Sequence, residues 1–296
     1  MDKCLAFVLG GGGARGAMQV GALRALIEAD YKPDLLVGTS IGAANATALA
    51  MGGADLGGIA ALEHIYHKLA VSNIMDPRLS RLAMKALSRQ PNHHASRKVA
   101  DFFIEEGITP NLRFNQIKNV RLALISADLD TGKPVIYGQD PGQSILDGLM
   151  ASIALPPWFA PVEKDGHIIV DGGAFSNLPI EPALIMGATE IIALDLDNPA
   201  NIPDSSQGIN YLVAKLSFGL SRRHIELETN LAEAQGVPVH FIELKSSEAT
   251  PIWDFHNYQD LIKTGYEIAT HTINQWANQF QEKFVFPELN AKYPSQ

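Results

Sequence analysis

Cysteine is nearly absent from this chain, and so is any excess of positive charge. Among 296 residues there is one cysteine, Cys4, so no internal disulfide can form. We expect Cys4 to act as a small apolar residue in the first strand. The 32 acidic residues outnumber the 23 lysines and arginines, which gives a formal net charge of −9. This balance argues against a nucleic-acid-binding protein held by bulk charge.

The chain also has no recognisable secretory leader and no convincing membrane span. Neither an apolar h-region nor a cleavage site follows Met1, so we expect a cytoplasmic protein, with peripheral contact at the inner membrane surface as an open alternative. Residues 35–54 carry no charge, but they contain several glycines and polar side chains. We therefore interpret this window as a buried strand followed by a helix.

A Gly-x-Ser-x-Gly motif stands inside that window, at residues 38–42. The apolar run 35–37 predicts a strand and the Ala-rich segment 41–51 predicts a helix, so Ser40 falls on a tight turn between them. Gly38 and Gly42 are needed there because side chains would collide with the neighbouring chain. The serine hydroxyl would lie at a helix N-terminus, as in a nucleophile elbow. The alternative is a glycine-rich turn with an incidental serine.

A glycine-rich loop precedes this motif along the chain. Residues 5–9 predict a buried strand, Gly10–Gly13 a loop, and residues 17–29 a helix. Together with the strand at 35–37 they form a βαβ unit, whose two strands are parallel. The loop and Ser40 should then meet at the carboxyl edge of the sheet, where backbone N–H groups can form an oxyanion hole.

The same glycines fit a dinucleotide-binding fingerprint, Gly11-x-Gly13-x-x-Gly16. That function requires an acidic residue at the end of the following strand, to bind a ribose hydroxyl. Val37 and Gly38 stand there instead, so the nucleotide-binding interpretation is disfavoured.

A third motif, Asp171-Gly172-Gly173, follows the apolar run 168–170. It predicts a carboxylate at a strand end, next to glycines that allow close approach to other backbone. If that strand belongs to the same sheet, Asp171 could accept the proton of Ser40, as a serine needs a base to attack an ester. Partial desolvation would raise the basicity of this carboxylate.

Taken together, the motifs GGGARG at 11–16, GTSIG at 38–42 and DGG at 171–173 resemble those of the patatin-like phospholipases of the bacterial cytoplasmic type. The resemblance covers residues 4–197 and includes the DLDTG turn at 128–132, the block at 151–161 and Asn177-Leu178-Pro179. It implies an α/β fold, a three-layer α/β/α sandwich with a mostly parallel central sheet. We expect one domain over 1–296, with a helical cap segment around 55–118 and a C-terminal extension over 198–296.

The resemblance also implies an activity and a set of site residues. The implied activity is that of a serine lipid acyl hydrolase, of phospholipase A or lysophospholipase type, which acts on a phospholipid or another acyl ester without a metal or other cofactor. Ser40 would be the nucleophile and Asp171 the proton acceptor. The oxyanion N–H groups would come from the glycine loop, and the remaining motif residues would support it: Gly11, Gly12 and Gly13 for the oxyanion hole, and Arg15, Gly16, Gly38, Gly42, Gly172 and Gly173 in support.

Other functions remain open on the sequence. A non-catalytic regulatory or binding protein could keep the same fold, and a small-ester or thioester hydrolase could use the same dyad. An α/β-hydrolase would need a histidine late in the chain, where no candidate has a supporting motif. The four candidates are His224, His240, His256 and His271.

Residues 68–100 hold seven lysines and arginines against one acid. A helix carrying Arg78, Arg81, Lys85 and Arg89 could contact an anionic membrane, although an ordinary solvated helix explains the pattern as well. We expect the aspartates at 128, 130, 195 and 197 to be turn or loop acids and not metal ligands. The oligomeric state is left undetermined.

Overall fold

The computed structural model describes residues 3–72, 93–202 and 208–283, without the side chains of 210 and 279–283. Eight strands of this part form a single sheet in the order β5-β6-β3-β2-β1-β7-β8, with β4 pairing with β3. The strands are β1 Leu5–Leu9, β2 Leu35–Thr39, β3 Arg121–Asp128, β4 Lys133–Tyr137, β5 Val162–Lys164, β6 His167–Asp171, β7 Glu190–Asp195 and β8 Val239–Glu243.

Helices cover both faces of this sheet. In the described part of the chain they are α1 Ala17–Glu28, α2 Ile41–Met51, α3 Leu56–Val71, α4 His93–Glu105, α5 Ile145–Ser152, α6 Ile180–Ile185, α7 Ile209–Ala234 and α8 Tyr258–Lys283. The expected α/β/α sandwich is therefore confirmed. The described parts of the expected cap segment contribute α3 and α4, and the C-terminal extension adds β8 to the same sheet, parallel to β7.

The alternation of side chains along the strands creates two hydrophobic clusters. In β1, Phe7 and Leu9 point to one face and pack with residues of α1, α2, α3 and α8. Ala6 and Val8 point to the other face and pack with residues of α6 and α7. Because both faces are covered, the central strands are apolar throughout, as in other parallel sheets. The sheet is thus held rigidly between two layers, with its carboxyl edge left for a site.

Strand β3 brings the two segments that bear Ser40 and Asp171 together. β2 pairs with its residues 121–125, and β4 pairs with 124–128 from the opposite side. β6 pairs with residues 126–128 of β3, and β4 pairs with the same residues, so β6 and β4 lie on opposite sides of β3. Since β2 also lies opposite β4, β6 and β2 share one side of β3. β2 is parallel to β3 and β6 is antiparallel to it. The two strands therefore run toward each other along one side of β3 and end head to head.

Candidate active site

Ser40 occupies the turn between β2 and α2, as the motif predicts. Its backbone has φ 57° and ψ −123°, a conformation that non-glycine residues rarely adopt. The backbone N–H of Ser40 donates to Ser152 Oγ at 3.0 Å, and Ser152 Oγ donates to the Ile125 carbonyl at 2.6 Å. These contacts hold the strained turn, and α2 begins at the next residue, so the positive end of the helix lies at Ser40.

The two glycines of the motif lie where side chains have no room. A Cβ on Gly38 would overlap the backbone of Gly42, and a Cβ on Gly42 would overlap the carbonyl of Leu9. The close approach of α2 to β1 and β2 therefore depends on both glycines. Thr39, between Gly38 and Ser40, is fully buried, and its hydroxyl donates to the Ser176 carbonyl at 2.9 Å. This bond ties the turn to the loop that follows Asp171.

Asp171 is the last residue of β6 and pairs with Ser126, one position beyond the Ile125 that faces Thr39. Its carboxylate therefore arrives at the end of β2 from the opposite direction. Gly172 follows at the junction, where a Cβ would overlap the Ile125 carbonyl and approach the Thr39 side chain. The antiparallel direction of β6 was not part of the sequence interpretation, which had required only that this strand join the sheet.

The Asp171 carboxylate is 3% exposed and only half satisfied by hydrogen bonds. Oδ1 accepts the Gly173 N–H at 2.8 Å, whereas Oδ2 is buried and accepts no well-formed hydrogen bond within the described residues. Burial raises the pKa of Asp171 to about 6, and the neighbouring Ser40 hydroxyl and the Gly173 amide limit the rise. The group is thus a stronger base than an exposed aspartate and lies against the serine hydroxyl.

The glycine loop lies beside these two residues. The Gly11 N–H donates to the Asn177 carbonyl at 3.0 Å, whereas the amides of Gly12 and Gly13 have no acceptor within the described residues. Arg15 Nε donates to the Gly12 carbonyl at 3.0 Å. The Gly12 carbonyl and the Gly13 N–H belong to the same trans peptide group, so they point in opposite directions. Because the carbonyl points toward Arg15, the Gly13 N–H points away from it.

Arg15 itself is partly buried. Burial lowers its pKa, and the charges of Asp197 and Asp195 oppose this change. Both acids were expected to be loop or turn residues, and for Asp195 this is wrong. It is the last residue of β7, 1% exposed, and accepts a bond from Arg222 at 2.9 Å, while burial raises its pKa to about 6. The two acids balance the partly buried arginine behind the glycine loop.

The sequence analysis did not predict a series of buried, hydrogen-bonded polar side chains that lies below the glycine loop. Gln19 Nε2 donates to the Gly10 carbonyl at 2.9 Å, Asn45 Nδ2 donates to Gln19 Oε1 at 2.9 Å, and the Tyr66 hydroxyl donates to Asn45 Oδ1 at 3.2 Å. Asn45 also donates to the Gly16 carbonyl at 3.0 Å. A glutamine and an asparagine inside otherwise apolar helices were the available signals, because buried amides need partners.

Glu228 of α7 is a second group that the sequence interpretation missed. Its Oε1 accepts the Ser176 hydroxyl and its Oε2 accepts the Glu181 N–H, both at 2.8 Å. Burial raises the pKa of Glu228 to about 7, against these two hydrogen bonds. The glutamate therefore holds the segment that leads from Asp171 to α6. Its sequence distance from both motifs left no local pattern to reveal it.

A cavity of about 630 Å³ opens over Ser40 and Asp171. The glycine loop lines one part of it, and α3 and α4 contribute apolar side chains to its wall, among them Leu62, Leu69, Val99, Phe102 and Phe103. The volume lies in the range of roughly 300–1,000 Å³ that is usual for ligand pockets. No histidine lines this cavity within residues 3–72, 93–202 and 208–283, which leaves a Ser–Asp–His triad without its base.

One group of side chains away from the cavity has the composition of a metal site. Ligand atoms of Asp128, Asp130 and His167 lie within 4.8 Å of one another. Asp128 Oδ1 accepts two turn amides, Asp128 Oδ2 bonds His167 Nδ1 at 2.8 Å, and Asp130 Oδ2 accepts the Ile168 N–H at 2.7 Å. Asp128 is the last residue of β3 and not itself a turn residue, but it accepts the amides of the β3–β4 turn, in which Asp130 lies as expected. The attachment of this turn to β6 was not part of the sequence interpretation.

Two expectations concern membranes. The basic segment with Arg78, Arg81, Lys85 and Arg89 lies outside the described residues. Of the helices described, none is both long enough and apolar enough to cross a bilayer.

The sequence model of the patatin-like phospholipase family matches residues 7–184, more than half of the chain and all three motifs. The chain belongs to the patatin-like phospholipase family. The resemblance stated from the motifs is therefore confirmed.

Curated relatives agree with this assignment. The patatin-like phospholipase domain-containing protein 7 of Mus musculus is 30% identical over 200 residues, which span 66% of this chain and 14% of the mouse protein. An uncharacterized NTE family protein of Mycobacterium tuberculosis is 30% identical over 194 residues, which span 66% of this chain and 30% of that protein. The matches thus cover less than a third of either relative.

Among solved structures, human GIVD cytosolic phospholipase A2 matches 95% of this chain and 59% of its own, with a TM-score of 0.55 and 10% sequence identity. At this identity the likeness shows a shared fold.

Proposed function

We propose that the chain is a serine lipid acyl hydrolase, of phospholipase A or lysophospholipase type, with Ser40 as nucleophile and Asp171 as proton acceptor. The observation that carries the proposal is that β2 and β6 end head to head, which sets a strained, partly exposed serine against a buried carboxylate whose Oδ2 accepts no well-formed hydrogen bond within the described residues. Membership of the patatin-like phospholipase family supports the same chemistry.

In the first half of the reaction, Ser40 Oγ would attack the ester carbonyl while Asp171 accepts the hydroxyl proton. The tetrahedral intermediate would collapse as the ester C–O bond breaks, and the proton held by Asp171 would pass to the departing alcohol. This leaves an acyl group on Ser40. A water molecule, deprotonated by Asp171, would then release the fatty acid and restore both groups.

The negative charge of the intermediate needs N–H donors fixed in advance. The amides of Gly12 and Gly13 are the best placed members of the expected trio, because the Gly11 N–H already donates to the Asn177 carbonyl. Arg15 supports this arrangement by holding the Gly12 carbonyl. We therefore propose Gly12 and Gly13 as the oxyanion donors, with Gly11 as the residue that allows Asn177 to approach.

The cavity favours acyl esters with long chains over small esters. Its wall carries leucines, a valine and two phenylalanines from α3 and α4, and apolar residues outnumber the polar ones along the lining. Each methylene group buried there contributes about 0.8 kcal/mol. We expect such substrates to reach the protein from a membrane surface in the cytoplasm.

Covalent labelling with a fluorophosphonate tests the proposal directly. We expect rapid labelling of the wild type and none of Ser40→Ala. Ser126→Ala is the matched control, because Ser126 pairs with Asp171 yet its buried hydroxyl has no partner within the described residues. Hydrolysis of p-nitrophenyl esters should rise with acyl length. A folded wild type that neither labels nor hydrolyses any ester would favour the non-catalytic binding protein instead.

A further inference from the structure

Helix α7 carries an apolar stripe that the cavity does not explain. Five residues of its first half are between 52% and 71% exposed, and we call them the α7 stripe: Ile209, Leu212, Val213, Leu216 and Leu220. At 100° per residue these positions fall on one face of the helix. Isolated exposed apolar residues are common on protein surfaces, but a continuous apolar face on one helix marks an interaction surface.

The opposite face of the same segment belongs to the cavity. Ala214, Ser217, Phe218 and Ser221 line it, and further along the helix Ile225 and Ala232 are buried against the sheet. The first half of α7 therefore separates the apolar cavity from the surroundings. A long acyl chain that entered near this helix from a lipid layer would exchange one apolar environment for another, without the cost of exposing its methylene groups to water.

The charges around the α7 stripe suit an anionic surface. Residues 208–225 contain Lys215, Arg222 and Arg223 and no acid, although the whole chain has a net charge of −9. Lys215 donates to the Tyr211 hydroxyl at 2.9 Å and has no acidic partner within the described residues. The two arginines are paired with Asp195 and Glu226. An amphipathic helix with an apolar face and flanking cations is the usual element of interfacial lipid binding.

We propose that the first half of α7 docks the protein on an anionic lipid bilayer, with the α7 stripe in the acyl region and Lys215 at the phosphates. This inference deepens the proposed function and rests on it for the substrate that the bilayer would supply. Docking would place the apolar cavity next to the lipid phase, so an ester could move from the bilayer toward Ser40.

Vesicle sedimentation measures the docking without relying on turnover. All proteins would carry Ser40→Ala, so no lipid is hydrolysed, and the vesicles would contain phosphatidylcholine with phosphatidylglycerol or phosphatidylcholine alone. We expect the double variant Leu212→Asp, Leu216→Asp to lose at least about 10-fold in partitioning to the anionic vesicles. Ile185→Asp is the matched control, because Ile185 is 53% exposed on another helix, and it should bind like its parent.

A second readout reports insertion of the stripe itself. Cys4 is 7% exposed, so an environment-sensitive dye would label an introduced cysteine selectively. Dye on Leu216→Cys should move to shorter emission wavelength when anionic vesicles are added, and dye on Ile185→Cys should not. Salt should weaken binding, since the contribution of Lys215 is electrostatic.

Three results would overturn the proposal. The parent protein could fail to bind anionic vesicles, the double variant could bind as well as its parent, or ultracentrifugation could reveal a dimer that the double variant dissociates. The last result would assign the α7 stripe to a second copy of the chain. Fluorophosphonate labelling of the wild type is scored separately, so loss of the hydrolase proposal and loss of the docking proposal are distinguishable.

Discussion

Two buried carboxylates contact the loop between β6 and α6, and they differ in how many of their oxygens accept hydrogen bonds. Asp171 begins the loop and leaves Oδ2 without a well-formed hydrogen bond in the described structure, next to Ser40. Glu228 contacts the loop at Ser176 and at the Glu181 amide, and both of its oxygens accept hydrogen bonds. Burial raises both pKa values, to about 6 and about 7. A raised pKa by itself thus does not identify a catalytic carboxylate, whereas an unpaired buried oxygen beside a nucleophile points to one.

Asp171→Asn should have the largest effect and should separate the roles of the two carboxylates most clearly. We expect fluorophosphonate labelling to slow by about 10²–10⁴-fold, because the amide cannot accept the proton of Ser40. The same change should stabilise the fold by about 1–3 kcal/mol near neutral pH, because the native protein must hold an ionised group whose folded pKa is raised. Urea unfolding measures this gain.

The gain should shrink as the pH falls through about 6 and disappear below the unfolded pKa of about 3.9, where Asp171 is protonated in both the folded and the unfolded state. A variant that lost activity and was also less stable at neutral pH would mean that the Asp171 charge is structurally paired after all.

Gly13→Ala tests whether the backbone of the glycine loop also contributes to the reaction. Gly13 has φ 59°, and a Cβ there would overlap the carbonyl of Ile252. We expect a loss of about 2–4 kcal/mol in stability and a fall in labelling of about 10–10³-fold, since an oxyanion donor would move. Gly187→Ala is the control: Gly187 follows α6 with φ 86° and open space around it, so the cost should be about 1 kcal/mol with labelling unchanged. Equal effects of the two changes would remove the special role of the glycine loop.

Glu228→Ala should show the opposite balance from Asp171→Asn. Two buried donors, the Ser176 hydroxyl and the Glu181 N–H, would lose their acceptor, so we expect a loss of about 2–4 kcal/mol in stability. Labelling of the folded fraction should stay within about 10-fold of wild type, because Glu228 does not reach Ser40. Glu228→Gln should recover most of the stability, since its amide can serve both partners. A stable Glu228→Ala variant would show that these hydrogen bonds do not hold the loop.

The smallest expected effect is on the pH profile. Labelling should rise with pH through an apparent pKa of about 6, because Asp171 accepts a proton only when ionised. Glu228→Gln should leave this limb in place, although Glu228 titrates nearby. Disappearance or displacement of the limb in Glu228→Gln would assign it to Glu228 and weaken the case for Asp171.

Much of the fold could be predicted because its signals are local. The run at 5–9 and the glycines after it predict a strand and a loop from adjacent residues, and the structure has β1 at Leu5–Leu9. The helices predicted over residues 17–29 and 41–51 are present as α1, Ala17–Glu28, and α2, Ile41–Met51. The strand before Ser40 extends two residues further than the apolar run, to Thr39, because pairing with β3 continues there.

The residues of the candidate site also differ in whether a local sequence signal marks them. Ser40 and Asp171 could be singled out because glycines flank both, and a close backbone approach leaves that trace in the sequence. Gln19 and Asn45 left a weak local signal, as polar residues inside apolar helices, but their hydrogen-bond partners lie on other elements and could not be predicted. Glu228 left no such signal, and its partners also lie on other elements. The interpretation of Asp195 as a loop acid is wrong for a related reason, because the arginine that pairs with it, Arg222, lies far along the chain on α7.

The amino-acid sequence by itself determined the family, the strand–turn–helix around Ser40 and the glycine-lined approach to Asp171, because each depends on residues close along the chain. Only the tertiary structure shows that β6 runs antiparallel to β3 and meets β2 end to end, and that the Gly11 N–H is bonded while those of Gly12 and Gly13 have no acceptor among the described residues. It also shows that α7 lines the cavity with one face and exposes an apolar face on the other side. These features depend on strand register and on contacts between distant segments, where the free energy of packing and of buried hydrogen bonds selects one arrangement.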